Sequence, residues 1–155
     1  MPASVPATSL PPGTCVVIAS RDHFFARSLQ SSLEARGADV HLWERMSPTL
    51  DCVKLEGVDV LLIETHGLGE ADASLIERVR ERSPLIEIVA ISEDPLVESA
   101  VQALRSGVYT LLAYPVSDTQ LAVAIREATL RKRRGEQRIK ALEAPSDREV
   151  LRRPS

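Results

Sequence analysis

Val58-Asp59-Val60-Leu61-Leu62-Ile63-Glu64 is the stretch on which the fold turns. Apart from Asp59 its apolar residues do not alternate, the pattern of a strand covered on both faces, and it ends on a carboxylate. Working outward, Cys15 to Ala19 reads the same way, and Ile86 to Ile91 gives a further strand. Val40 to Trp43 is a weaker strand and Val108 to Ala113 a fifth. Helical spacing fills the intervals. Asp22 caps a helix to about Arg36, with Phe25, Leu29 and Leu33 on one face and Gly37 as its stop. A short helix over 48–56 ends at Gly57; Leu75, Ile76 and Val79 mark a third that stops at Ser83-Pro84. Val97, Val101 and Leu104 mark a fourth, and Asp118 caps a last one running to about Leu142. Strands alternating with helices predict an α/β fold: one doubly wound, five-stranded parallel sheet with helices on both faces. The first and third strands are expected to be the most buried.

The bulk properties narrow the function. A chain of 155 residues, 44% hydrophobic and 26% charged, supports one soluble globular domain with its own core. No apolar run approaches the roughly 18 residues of a membrane helix, and no basic-then-apolar leader opens the chain. A cytoplasmic protein without membrane contact is expected. Cys15 and Cys52 lack metal-ligand spacing and read as buried free thiols of a reducing compartment. His23, His41 and His66 look unrelated, and no Ser-His-acid or metal constellation is visible. Ser20-Arg21-Asp22-His23 stands where a cofactor binder would carry a phosphate-cradling glycine loop. The sequence therefore argues against an enzyme, a cofactor or a bound metal.

In a sheet of this kind the working residues lie outside the carboxyl ends of the strands. There stand Ser20, Arg21 and Asp22, then Glu64 and Thr65, Ser92 and Glu93, and Tyr114-Pro115. Three segments here resemble the receiver domain of bacterial two-component response regulators, over roughly 14–130. They are Val58 to Glu64, Ile88-Val-Ala-Ile-Ser92, and Ala103-Leu-Arg-Ser-Gly-Val108 with Leu111-Leu-Ala-Tyr-Pro-Val-Ser117. The resemblance implies a flavodoxin-like sheet in the order 2-1-3-4-5. It also implies a phosphoacceptor aspartate after the third strand, an acid pair after the first to hold magnesium, a hydroxyl after the fourth and a lysine after the fifth.

This chain departs from that pattern. The acid-pair positions are Ser20 and Arg21, Asp22 comes one step late as a helix cap, the acceptor position is Glu64, and the lysine position is Tyr114. Only Ser92 and Pro115 keep the family identity. Leu111 stands at the aromatic switch position. Glu64 reads either as a built-in acid that imitates phosphoaspartate, paired with Arg21 across adjacent strand ends, or as a solvated carboxylate without regulatory meaning. Ser92 reads as a hydroxyl capping the next helix, and Tyr114 as a ring plugging an empty pocket. The resemblance thus implies a degenerate pseudo-receiver in signal transduction, acting through a protein partner, a histidine kinase or an output domain. The alternative is an atypical receiver, still phosphorylated or ligand-switched, that controls an ATPase or DNA-binding domain outside this chain.

Charge is unevenly placed. Residues 126–142 hold seven basic and two acidic residues, a local +5 in a chain of net −3. Leu121, Ile125, Ala128, Lys132, Gly135, Ile139 and Leu142 fall on heptad steps, with a poor centre at Lys132 and Gly135. The first half is the face that packs on the sheet, and its Leu121, Ile125 and Ala128 also continue with Ile139 and Leu142 as a possible dimer seam; the second half, resembling the linker helix of nitrogen-regulation-type receivers, is either that seam or a fraying end. A homodimer is expected. Arg131 to Arg134 reads as a solvated face, and nucleic-acid binding is disfavoured because no reader domain accompanies this short stripe. The expected organisation is a disordered lead over 1–13, the receiver-like domain over 14–130, a helical extension over 131–143 and a flexible tail over 144–155.

Overall fold

The computed structural model describes residues 9–44, 55–65, 70–93, 105 and 107–143. Strands β1 (Cys15–Ser20), β2 (Asp39–Glu44), β3 (Val60–Thr65), β4 (Glu87–Ser92) and β5 (Thr110–Ala113) form one sheet in the order β2-β1-β3-β4-β5. All four pairings are parallel. The parallel sheet is as expected from the strand pattern, and its order is the one the resemblance implies. Helices α1 (His23–Glu34), α2 (Glu70–Arg82) and α3 (Asp118–Glu143) are described. The short helix expected over 48–56 and the body of the one around Val97 to Leu104 lie outside the described residues.

Two cores result, one on each face. Val16, Ile18, Val60, Leu62, Val89 and Ile91 point to the face covered by α1 and α3, where Leu29, Leu33, Leu121, Ile125 and Ala128 meet them. Val17, Ala19, Leu61, Ile63, Ile88 and Ala90 point to the other, under Leu75, Ile76 and Val79 of α2. β4 proves as buried as β1 and β3, with every residue sequestered, because it lies between β3 and β5 with helices on both sides.

Four expectations are corrected. The lead is not wholly free: Leu10 is buried in the α1–α3 core, and the Ser9 and Pro12 carbonyls accept hydrogen bonds from Arg126 and Arg133. The α3 cap is Ser117 rather than Asp118. Its hydroxyl accepts from the Gln120 N–H at 3.1 Å while the Gln120 side chain accepts from the Ser117 N–H at 3.2 Å, a reciprocal capping box. Leu121, Ile125 and Ala128 are core residues, 2%, 0% and 0% exposed, so they cannot serve a seam between chains. Only Ile139 and Leu142 of the expected seam stay exposed.

The basic run is a solvated face only in part: Arg131 and Arg134 are exposed, but Lys132 and Arg133 turn toward the sheet. Lys132 is buried and pairs with the buried Asp59 at 3.6 Å and with Glu136 at 3.0 Å. Arg133 reaches Asp59 at 3.4 Å, and Arg131 reaches Glu87 at 3.5 Å while lying over the Tyr109 ring. Asp59 further accepts from the Cys15 N–H at 2.9 Å. Gly135 passes Leu85 so closely that a Cβ there would sit 3.3 Å from its methyl. The poor centre of the heptad pattern is thus where α3 crosses the amino end of the sheet. Burial pushes the Glu87 carboxyl above its ordinary value, an effect that Arg80 and Arg131 oppose.

Candidate functional site at the carboxyl end of the sheet

β1 and β3 are neighbours, so their carboxyl ends bring Ser20 and Glu64 together although 44 residues separate them. The Ser20 hydroxyl donates to the Glu64 carboxylate and accepts from the Asp22 N–H at 3.0 Å. Asp22 spends its own carboxylate on α1, accepting from the Phe24 and Phe25 N–H groups at 3.0 and 3.2 Å. This is the cap that its position before the helix predicts. Arg21 stands exposed beside it. The partner of Glu64 across the strand ends is therefore Ser20, not the expected Arg21. Ser20 is buried at the end of β1, whereas Arg21, the residue after it, is exposed.

Glu64 belongs to β3 itself, one residue before its end, and Thr65 closes the strand by donating to Asp72 of α2 at 2.8 Å. Sequence reasoning missed that buried Thr65–Asp72 bond. Ser92, the last residue of β4, is buried, and its carbonyl accepts from the Tyr114 N–H at 2.8 Å. A cis peptide joins Tyr114 to Pro115, both exposed. The Tyr114 ring packs edge-on against Phe25 with centroids 5.3 Å apart. It does not plug the pocket. A cavity of about 310 Å³ remains, bounded by Asp22, Phe24, Phe25, Glu64, Glu93 and Tyr114 among others, with Tyr114 at its rim. Phe24 projects almost fully into solvent.

No protein-family model matches the chain, and no curated protein sequence does so. Solved structures do match. A response regulator receiver domain protein from Clostridium thermocellum aligns with a TM-score of 0.68 at 16% identity, over 77% of this chain and 97% of that one. The beryllofluoride-activated NtrC4 receiver domain, solved as a dimer, gives 0.67 at 21% identity, over 76% and 98%. NtrX from Brucella abortus, in complex with ATP, gives 0.72 at 15% identity, over 87% of this chain but 31% of that one.

The chain has the fold of a response regulator receiver domain.

Receivers of the pattern described above hold magnesium, and the side chains of this site do not fit it. Magnesium demands a small, nearly octahedral cage of oxygens. Here Ser20, the last residue of β1, turns a hydroxyl proton toward Glu64, Arg21 after it carries a positive charge, and Asp22 is committed to the helix. Among the described residues, no three carboxylate, thiol or imidazole donors converge at this end of the sheet. The same described residues include no helix long and apolar enough to cross a membrane.

Proposed function

We propose that this chain is a receiver-fold signalling module that works without phosphoryl transfer, a pseudo-receiver that regulates a partner by protein–protein contact. The observation that carries this reading is the Ser20–Glu64 hydrogen bond. It joins two groups that a phosphoreceiver would hold apart around a cation, and it leaves Glu64 an acceptor already engaged. A carboxylate busy with a neighbouring hydroxyl and lacking a metal to gather charge is a poor nucleophile toward a phosphoryl donor. Tyr114 supplies no cation to pair with a phosphoryl group, whereas the family's lysine would.

With its site closed to phosphoryl transfer, the module presents one surface whatever the phosphorylation state of its pathway. Its partner is a histidine kinase or an output domain, and its compartment the cytoplasm. Homodimerisation is part of the same reading. It is supported by the exposed Ile139 and Leu142 at the end of α3, and by a groove of about 510 Å³ along β5 and α3 that includes Tyr109, Leu112, Val123 and Ala124. Incubation with acetyl phosphate and magnesium, followed by intact-mass measurement, tests the chemistry. The mass is expected to stay unchanged; a phosphorylated species that disappears in Glu64→Gln would overturn the reading.

A further inference from the structure

The amino end of the sheet holds a second constellation, away from Glu64. β1 and β2 pair in parallel with Cys15 opposite Asp39 and Val17 opposite His41. Side chains alternate along a strand, so Asp39 and His41 share one face of β2, and Cys15 stands on that same face of β1. Residues 24 and 26 positions apart in sequence thus meet on one surface. That is why the spacing of cysteines and histidines along the chain gave no sign of them.

We propose that Cys15, Asp39 and His41 form a site for a divalent transition metal of zinc type. One donor atom from each of the three lies within 4.8 Å of the other two, and among the described residues this is the only such group of histidine, cysteine or acidic side chains. The His41 Nε2 and an Asp39 oxygen are 3.1 Å apart. Donors at zinc-ligand distances of about 2.0–2.3 Å lie about 3.3–3.8 Å from one another in a tetrahedron. The paired strands hold the three backbones in register, so the remaining adjustment falls to side-chain rotation.

The donor types point to the metal. A thiol, an imidazole and a carboxylate together suit zinc better than magnesium or calcium, which take oxygen ligands. Asp39 and His41 are exposed and Cys15 half-buried, so the ion has an entry path and a fourth position for water. Cys15 carries no disulfide. Its backbone N–H is already bonded to Asp59, which holds β1 in place beneath the site. The nearby Lys132 ammonium is compensated by Asp59 and Glu136, so its repulsion of a cation is muted.

Cobalt(II) is the probe, because a cobalt–thiolate bond gives a near-ultraviolet charge-transfer band and a tetrahedral site gives strong visible bands. The full-length chain is expected to show both and to lose them on stoichiometric addition of zinc. The bands should persist in Cys52→Ser, vanish in Cys15→Ser, and need at least about tenfold more cobalt in His41→Ala. A second measurement avoids variants: zinc should slow alkylation of Cys15 by iodoacetamide in the unmodified chain at least about tenfold, read by peptide mass. Absence of a thiolate band, a band that survives Cys15→Ser, or an alkylation rate indifferent to zinc would overturn the proposal.

Discussion

Replacing Asp59 by Ala should destabilise the domain by about 3 kcal/mol, and the reason lies in the helix that crosses beneath the sheet. The Asp59 and Lys132 side chains are 5% and 10% exposed, so neither charge can turn to water. Truncating one member of such a pair strands the other, which costs about 3–5 kcal/mol. The Cys15 N–H loses its acceptor in the same step. Two features reduce the cost: Glu136 still holds Lys132 at 3.0 Å, and Arg133 keeps the Pro12 carbonyl at 2.9 Å. The low end of the range follows. With a urea slope of about 2 kcal/mol/M, the unfolding midpoint should fall by about 1.5 M with the slope unchanged. Lys132→Met should cost only about 1 kcal/mol, because Asp59 keeps Arg133 and the Cys15 N–H. The double variant Asp59→Ala/Lys132→Met should cost less than the two single losses together, since removing both partners strands neither charge of the pair. Single variants within 0.5 kcal/mol of the parent on the scale of that slope, or strictly additive losses, would refute this account of what fixes α3.

Leu62 is fully buried in β3, so Leu62→Asp should leave the chain unfolded by far-ultraviolet circular dichroism at neutral pH; a folded spectrum would contradict the described core. Glu87 holds its proton more tightly in the folded chain than near its ordinary value of 4.5, so it withdraws stability as pH rises from that value through the raised one. Glu87→Gln should accordingly gain on the parent between pH 4 and pH 7 in urea titrations, and a gap that does not change with pH would count against the burial argument. If Ile139 and Leu142 form the proposed dimer contact, replacing both by Asp should weaken association at least about tenfold in sedimentation, given about 1.5–3 kcal/mol for each buried side chain. That test leaves Lys132 and Arg133 in place, whereas cutting the chain at residue 130 would remove the ion pairs that seat α3.

The apolar strands made the sheet legible: Val58 to Ile63 and Cys15 to Ala19 could be read as doubly covered without knowing their neighbours. Glu64 and Ser92 were legible as residues at the carboxyl ends of strands, to within one position for Glu64, since those ends define the site in a parallel sheet. The partner of Glu64 was not, because Ser20 and Arg21 adjoin in sequence and only strand twist and burial decide which one turns inward. The role of α3 was half legible. Lys132 continues the buried stripe of Leu121, Ile125 and Ala128, and Asp59 interrupts an otherwise apolar run; two charges on buried faces should seek each other. The heptad reading obscured this by treating Lys132 as a defect in a seam between chains. Leu10 was hidden because composition averages over a segment, while a single leucine can leave a polar lead and enter the core. Cys15, Asp39 and His41 were hidden because strand pairing, not sequence spacing, brings them together.

The central claim, that the carboxyl end of the sheet no longer performs phosphoreceiver chemistry, is tested most directly by beryllofluoride with magnesium, followed in amide chemical shifts of the full chain. Beryllofluoride needs a free acceptor carboxylate, a metal and a cation to settle as a phosphoryl group would. Here the Glu64 carboxylate is engaged by Ser20, and on the proposed reading the exposed Tyr114 takes the lysine position and offers no cation. The account predicts that the resonances of Ser20, Glu64, Thr65, Ser92 and Tyr114 stay where magnesium alone leaves them. Saturating shifts at those residues that spread to β5 and α3, and that vanish in Glu64→Gln, would contradict it.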